Sequence, residues 1–459
     1  MSSNPRLILR LGSHSEKEYF EKTVRFLDGI SVGANLFEVT PGATSSLLLK
    51  FCGEPRRVPY YVDPMTYAFG AYHDPQTGRL RVDLDWIKSD QKVRKAPVRD
   101  FKRSYRALAK ALGPPFSDAI EDGVAVDPSH FQKPSRTCAD VAARVVDYQL
   151  GRIVGEMRKD ESLAPLVDKA PRPAAVFAPY FYIEPTNATA WYKANLNLAA
   201  SAAALGNGVP VHLVLCADVS ALSSAEFLAR VEADIPGTGV AGVWLWFSGL
   251  DEDDSRDPRE LEITLRSFRR LVVSLSSKLE VYNMHGGFLS MALAKFGMMG
   301  VSHGVGYGEQ KGVLPVVGQS IPTVRYYLPD IHRTLGVPDL QASFGVLRLK
   351  TPADFHKQIC NCAICRGVVA RSTDQFGMFG ELHPSGKRDS KRLIQTPAAA
   401  KRCRYHFMLR RLTERSSVAR MTTVDIIHSM ESAFDRWNTL PTVQRYCSHL
   451  PVWKRLLQT

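Results

Sequence analysis

Cys360, Cys362 and Cys365 fall within six residues, and a later stretch patterned as helix carries Cys403 and His406. Zinc takes thiolates and imidazoles in sets of four, and a C-x-C-x2-C turn delivers three sulfurs from one short segment. A single distant residue then closes the sphere. His406 is the preferred fourth ligand, ahead of Cys403 and His383. A sphere filled by four protein ligands has no position for water, so the zinc is expected to be structural and not catalytic.

Lys and Arg number 59 against 46 Asp and Glu, a net charge of +13. The excess concentrates between Lys88 and Lys110 and again between Arg366 and Arg420, around the zinc ligands. That distribution fits a polyanionic partner, nucleic acid first, with Lys387, Arg388, Lys391, Arg392 and Arg404 as the expected phosphate contacts. Cys52, Cys138, Cys216 and Cys447 are scattered without the rhythm of a disulfide framework, which points to a reducing compartment. Met1 to Pro5 is polar, and no apolar run approaches the ~20 residues of a membrane span. The chain is therefore expected to be soluble, cytoplasmic and off the membrane.

Such residues need a scaffold. Arg6 to Leu11 reads as a strand, and Ser15 to Glu18 as a capping box opening a helix that Gly29 ends. Asn35 to Phe51 and Val58 to Phe69 read as β-rich. Residues from about 75 to 170 read as an insertion, with a basic amphipathic helix whose Phe101, Tyr105, Leu108 and Leu112 form the buried stripe. From Pro173 onward, strand-like runs (Ala175–Ile183, Val209–Leu215, Ala241–Ser248, Leu279–Met284, Gly300–His303) alternate with helical ones (Thr189–Leu205, Ser223–Ile235, Pro258–Ser277, Gly287–Phe296). Strands without polar alternation are buried on both faces, so the sheet is parallel.

With the N-terminal third included, the strand count suits an α/β fold of the closed (β/α)8 TIM-like barrel type. It is preferred to an open doubly wound sheet, because no G-x-G-x-x-G follows the first strand. Three units are expected: the barrel over 1–345 with its inserted helical segment, a C-terminal zinc-binding module over 346–415, and a helical tail over 416–459. In the tail Ile427, Met430, Phe434 and Trp437 share one face. Ser372 to Ala400 reads as a mobile loop of the module.

The order of these pieces, a βα series, then C-x-C-x2-C, then Cys403-Arg-Tyr-His406-Phe-Met-Leu-Arg-Arg-Leu, resembles the tRNA-guanine transglycosylase family. It is most similar to the branch that inserts 7-deazaguanine bases into DNA. The resemblance implies a (β/α)8 barrel, an appended zinc module of three cysteines and one histidine, and a basic surface that grips DNA or tRNA. The 40 residues between Cys365 and His406 exceed the family's usual spacing, and the basic loop accounts for the excess.

Other matches are shorter. Tyr60-Tyr-Val-Asp63 resembles the strand ending in the family's first active-site aspartate, and Phe181-Tyr-Ile-Glu184 stands where the family has a base-recognising acid. Trp246-Phe-Ser-Gly249-Leu resembles its Gly-Gly-Leu element, and Met284-His-Gly286-Gly287 the turn before its last βα unit. The family's nucleophilic aspartate should follow Phe296-Gly-Met-Met-Gly-Val301. This chain has Ser302 and His303 there, then a glycine-rich run to Glu309.

Exchange of a base at C1′ needs one carboxylate to capture an oxocarbenium-like centre and a second acid/base group for the bases. Asp63, Glu184, Asp251 and Glu309 are the carboxylates near strand ends. Asp63 is expected to be catalytic, with Asp251 or Glu309 as its partner. Glu184, Gly249, Gly286, Gly287, Ser302 and His303 are expected to bind substrate, and Tyr180, Tyr182, Trp244, Trp246 and Tyr307 are available as pocket walls. The expected activity is replacement of guanine by a 7-deazaguanine such as preQ0 in nucleic acid, DNA ahead of tRNA, with a partner protein or a homodimer left open. The alternative is a catalytically silent nucleic-acid-binding barrel that lacks the nucleophile.

Overall fold

The computed structural model describes residues 4–12, 16–70, 72–74, 79–80, 84–86, 99–101, 103–254, 257–305, 312–313, 323–384 and 393–459. Eight runs form one parallel sheet: β1 (Arg6–Leu11), β2 (Gly29–Gly33), β3 (Tyr60–Asp63), β4 (Val176–Phe177), β5 (Val211–Asp218), β6 (Gly242–Ser248), β7 (Glu280–Asn283) and β8 (Met298–His303). Neighbours in sequence pair, and β1 pairs with β8, which leaves one seam between β3 and β4. At that seam the Ala174 amide donates to the Tyr60 carbonyl at 2.9 Å. The sheet is thus nearly closed into the expected (β/α)8 barrel.

Burial on both faces explains the strand sequences. β5 reads VHLVLCAD and β6 GVWLWFS, and all but their last residues are buried. Alternate side chains fill the lumen, among them Ile8, Tyr61, Phe177, Val214, Trp244 and Tyr282. The intervening ones pack against an outer layer of helices.

Two stretches depart from the sequence reading. Asn35 to Phe51, read as β-rich, is helical: α1 (Lys17–Thr23) is followed by α2 (Ala34–Val39) and α3 (Pro41–Cys52). In α3, Thr44, Leu47, Leu48 and Phe51 make a buried stripe of helical period, with proline in the first turn. The strand of this region is instead β2, a short buried run between glycines.

The expected insertion carries α4 (Arg103–Leu112), α5 (Phe116–Asp122) and α6 (Arg136–Met157). Tyr105, Leu108 and Leu112 of α4 are buried, while Phe101 belongs to a short strand before it. In α6, the Gln149 amide donates to the Phe177 carbonyl at 2.7 Å and accepts from the Phe177 amide at 2.8 Å. These bonds tie α6 to β4, and the helix packs between α3 and α7 (Ala188–Ala203). It is the helix of the expected segment that crosses over from β3 to β4.

The later helices α8 (Ala225–Asp234), α9 (Pro258–Ser276) and α10 (Phe288–Ala292) occupy the expected places. Asp257 opens α9 by accepting from the Arg259 and Glu260 amides, with proline next in line.

After β8 come a hairpin of β9 (Tyr326–Leu328) and β10 (Arg333–Leu335), then α11 (Val337–Gln341), α12 (Pro352–Gln358) and α13 (Ala363–Val368). A second hairpin, β11 (Leu382–Pro384) with β12 (Leu393–Gln395), leads to α14 (Pro397–Arg420), α15 (Thr423–Trp437) and α16 (His449–Gln458). The stretch read as a mobile loop therefore holds a 3-10 turn (Thr373–Phe379), the second hairpin and the start of α14. Because α14 runs unbroken through residue 415, module and tail share one helix. Ile427, Met430 and Trp437 of α15 are buried, and Trp453 of α16 donates to the Glu252 carbonyl at 2.7 Å. Among the described residues no helix is long and apolar enough to cross a membrane.

Candidate metal centre and barrel site

The cysteines sit on a tight turn between two short helices. Thr351 and Asp354 cap α12 reciprocally, and Cys362 is the N-cap of α13. The Cys360 and Cys362 sulfurs accept from the Cys362 and Cys365 amides, each at 3.5 Å. His406, from α14, places its Nδ1 3.9, 3.4 and 3.4 Å from the Sγ atoms of Cys360, Cys362 and Cys365. All four donor atoms lie within 4.8 Å of one another. Sulfur and nitrogen bonded tetrahedrally at ~2.3 and ~2.05 Å stand about 3.6 Å apart, so this cluster could hold a metal ion.

Its surroundings orient the histidine. Nε2 lies 2.6 Å from the Tyr327 carbonyl, which only accepts, so Nε2 donates there and Nδ1 faces the sulfurs. Tyr326 stacks on the imidazole with centroids 4.3 Å apart, and its hydroxyl lies 3.2 Å from the Cys365 sulfur. Hydrogen bonds from Cys360 and Cys365 hold the Cys362 thiol down at about 3, while burial pushes Cys365 up. Cys403 donates instead to the Phe379 carbonyl at 3.4 Å, and burial raises it to about 12. His383 lies on β11, outside the cluster.

The helix that supplies His406 also carries a buried charge network. Glu414 accepts from the Tyr327 hydroxyl at 2.6 Å, His332 Nδ1 at 2.8 Å and Arg411 Nη1 at 3.0 Å. Burial opposes its ionisation, but Arg411, His332 and Tyr327 outweigh it and keep the carboxyl below its ordinary value. Tyr327 therefore meets the cluster through its carbonyl and the network through its hydroxyl. Glu252, past the end of β6, accepts from Asn283 Nδ2 at 3.1 Å, the Gly287 amide at 3.0 Å and the Ser290 hydroxyl. A cavity of about 250 Å³ lies between this network and the barrel, with Asp251, Gly286, Gly287, His303 and Arg411 in its lining.

The lumen holds a different set. Asp63, fully buried at the end of β3, accepts from the Tyr180 hydroxyl at 2.8 Å and the Met65 amide at 3.0 Å, and pairs with Arg10 at 3.3 Å. Two residues beyond Tyr180, the Tyr182 hydroxyl donates to Asp218 at the end of β5, at 2.9 Å. The extended segment after β4 thus presents two phenols to two carboxylates from the flanking strands. Burial, with the neighbouring Asp63 or Asp218 charge, raises both tyrosines, so each phenol keeps its proton and donates it.

Strand alternation splits the expected site. Ser302 pairs in register with the inward Ile8, and its buried Oγ has no hydrogen-bond partner among the described residues. His303 pairs with the outward Leu9, donates from Nδ1 to the Gly304 carbonyl at 3.0 Å, and is pushed by burial down to about 4. By register Asp63 and Ser302 face the lumen with Tyr61 and Ile8, whereas Asp251, Gly286, Gly287 and His303 line the cavity against the cysteine-bearing module. Asp251 follows Gly249, which sits at φ +88° after β6, and lines that cavity. Glu184 is the half-buried N-cap of a 3-10 turn (Pro185–Asn187). Trp244 is lumen packing, stacked on Tyr282 at 4.8 Å and bonded to His212 at 3.0 Å.

Arg404 bonds to Tyr19, between α14 and α1. Tyr307, Glu309, Lys387, Arg388, Lys391 and Arg392 lie outside the described residues. The sequence reading missed Asp218, although the inward series Val214, Cys216, Asp218 of β5 points to it. It also missed Arg10 and the Arg411–Glu414 pair. Comparison with known proteins finds no matching family model and no significantly similar curated protein.

Proposed function

We propose that the protein is a zinc-containing barrel enzyme that exchanges guanine for a 7-deazaguanine in nucleic acid, DNA ahead of tRNA. The observation that carries this reading is the pair of strand-end carboxylates, Asp63 and Asp218, each oriented by a tyrosine at the end of the barrel where such folds do chemistry. The ordered motifs of the sequence support it. Three thiols and an imidazole whose second nitrogen is already bonded fit zinc, held by Cys360, Cys362, Cys365 and His406. Zinc bound there supplies a cross-link between α13 and α14 and no reacting group.

In this mechanism Asp63 faces the positive charge that develops at C1′ as the glycosidic bond breaks. Tyr180, Arg10 and the Met65 amide hold its carboxylate in place. Asp218 replaces Asp251 as the acid/base group that passes a proton between leaving and incoming bases. Ser302, at the place of the family's nucleophile, bonds a base edge through its hydroxyl. Lumen side chains exclude water from the charged centre.

The test is exchange of labelled guanine from duplex DNA and from tRNA by the native chain, Asp63→Asn and Asp218→Asn. Exchange by the native chain and its loss in both variants supports the reading; full activity of Asp63→Asn overturns it. The Arg10 pairing of Asp63 and the serine at the nucleophile's place favour a second reading, a silent nucleic-acid-binding barrel. Salt-dependent binding without exchange on either substrate is its signature.

A further inference from the structure

A cleft of about 860 Å³ lies at the opposite end of the barrel, where the strands begin. Its cations are Arg6, Lys22, Arg25, Arg56 and Arg57, and its carboxylates Glu21 and Asp28. Both carboxylates are engaged: Glu21 with Lys50 at 2.9 Å, and Asp28 with Arg415 and the Leu7 amide. Arg57 pairs with Glu54, and Arg6 bonds to Tyr282 at 2.6 Å. Lys22, Arg25 and Arg56 have no carboxylate within ion-pair distance among the described residues. The Arg25 guanidinium lies 4.6 Å over Phe26 and that of Arg56 lies 5.7 Å over Phe51. The Lys22 ammonium lies 5.0 Å over Tyr405, and these contacts with ring faces leave N–H groups available to an anion.

Gathering these charges repels them, and nothing at the catalytic end of a barrel calls for cations at its other end. The rest of the lining is apolar, with Val24, Val58, Pro59 and Tyr61. The volume matches the ~300–1,000 Å³ of small-ligand sites. We infer that this cleft binds a nucleotide, its phosphate held by Lys22, Arg25 and Arg56 and its base against the apolar residues. The phosphate belongs either to a free nucleotide or to the 5′ end of a nucleic-acid strand. The inference is independent of base exchange.

Equilibrium dialysis of the full chain tests it with four probes: GMP, guanosine, inorganic phosphate and a short 5′-phosphorylated oligonucleotide. GMP or the oligonucleotide should bind at least about tenfold more tightly than guanosine or phosphate, since either alone forfeits a charge-assisted set or the apolar contact. Binding of GMP identifies the free nucleotide, and binding of the oligonucleotide alone identifies the strand end. Arg25→Gln with Arg56→Gln should weaken binding by roughly tenfold or more at unchanged metal content. The charge-preserving Arg25→Lys with Arg56→Lys should retain most of it. Undiminished binding by the glutamine variant, equal binding of inorganic phosphate, which marks an adventitious ion only, or no binding of any probe overturns the proposal.

Discussion

Replacing Glu414 by leucine tests the buried network where its energetics are sharpest. The carboxylate is 4% exposed and takes three donors, so its removal strands the Arg411 charge as well as the Tyr327 hydroxyl and the His332 ring N–H. Breaking a buried ion pair from one side costs about 3–5 kcal/mol, and we expect the upper half of that range for Glu414→Leu. Arg411→Met leaves Glu414 with two donors in place, so it should cost less, about 3 kcal/mol. Removing both charges together strands neither. The double variant should therefore lose only about 4 kcal/mol, against about 7 for the summed singles, a coupling of roughly 3 kcal/mol. Urea unfolding of the four proteins, with zinc supplied throughout, measures it. The reasoning fails if Arg411→Met is the more harmful single change, or if the coupling is under about 1 kcal/mol.

Metal analysis should find one zinc per chain, and Cys362→Ser should lose it together with much of the thermal stability, since binding and folding free energies are shared in such sites; undiminished zinc in that variant refutes the ligand set. Asp218→Asn should lower base exchange about 10²-fold or more by removing acid/base help, while Asp251→Asn leaves exchange intact; the reverse result would move the second carboxylate out of the lumen. Burial pushes His212 and His303 down to about 4 and His449 to about 3. Unfolded, each takes its proton near ~6.5, so the stability they confer as neutral rings is whole above that value and is lost as pH falls from ~6.5 towards ~4. Their sum is roughly 5 kcal/mol between about pH 7 and pH 5, read from urea midpoints, and a flat profile refutes it.

How far the sequence was legible depended on whether a signal was local. The metal cluster was readable because three of its donors share one turn and the fourth lies on a strongly helical stretch. β5 and β6 were readable because burial on both faces leaves continuous apolar runs. β2 was not, since five residues framed by glycines carry no usable period. Asn35 to Phe51 misled because its apolar residues suit either period, and packing against β2 and α6 decides for helix. At the site, the structure places Asp63 at the end of β3 and Asp251 in the lining of the cavity beyond β6, and no local motif carries that separation. Which side chains share the lumen depends on inward and outward alternation at each strand end, a property of the closed sheet that no single segment carries. The basic character of α14 likewise hid two roles, since Arg411 is buried against Glu414 and Arg404 faces Tyr19.

One helix has the last word on how this molecule comes apart. α14 is 24 residues long, a rod of about 36 Å, and its load points are spaced along it. Lys401 grips Glu18 of α1 at 2.8 Å, His406 faces the three sulfurs, Glu414 anchors the β9–β10 hairpin, and Arg415 reaches Asp28 and the Pro5 carbonyl beside β1. A rod does not absorb displacement; it passes it on. With a metal bound as proposed, its withdrawal should loosen the N-terminal edge of the barrel as well as the cysteine turn, and the two parts should lose amide-exchange protection together. A graft of the cysteine-bearing region onto another barrel would have to carry the seats of Glu18 and Asp28 with it, because in this chain the appendage and the first strand are fastened by the same beam.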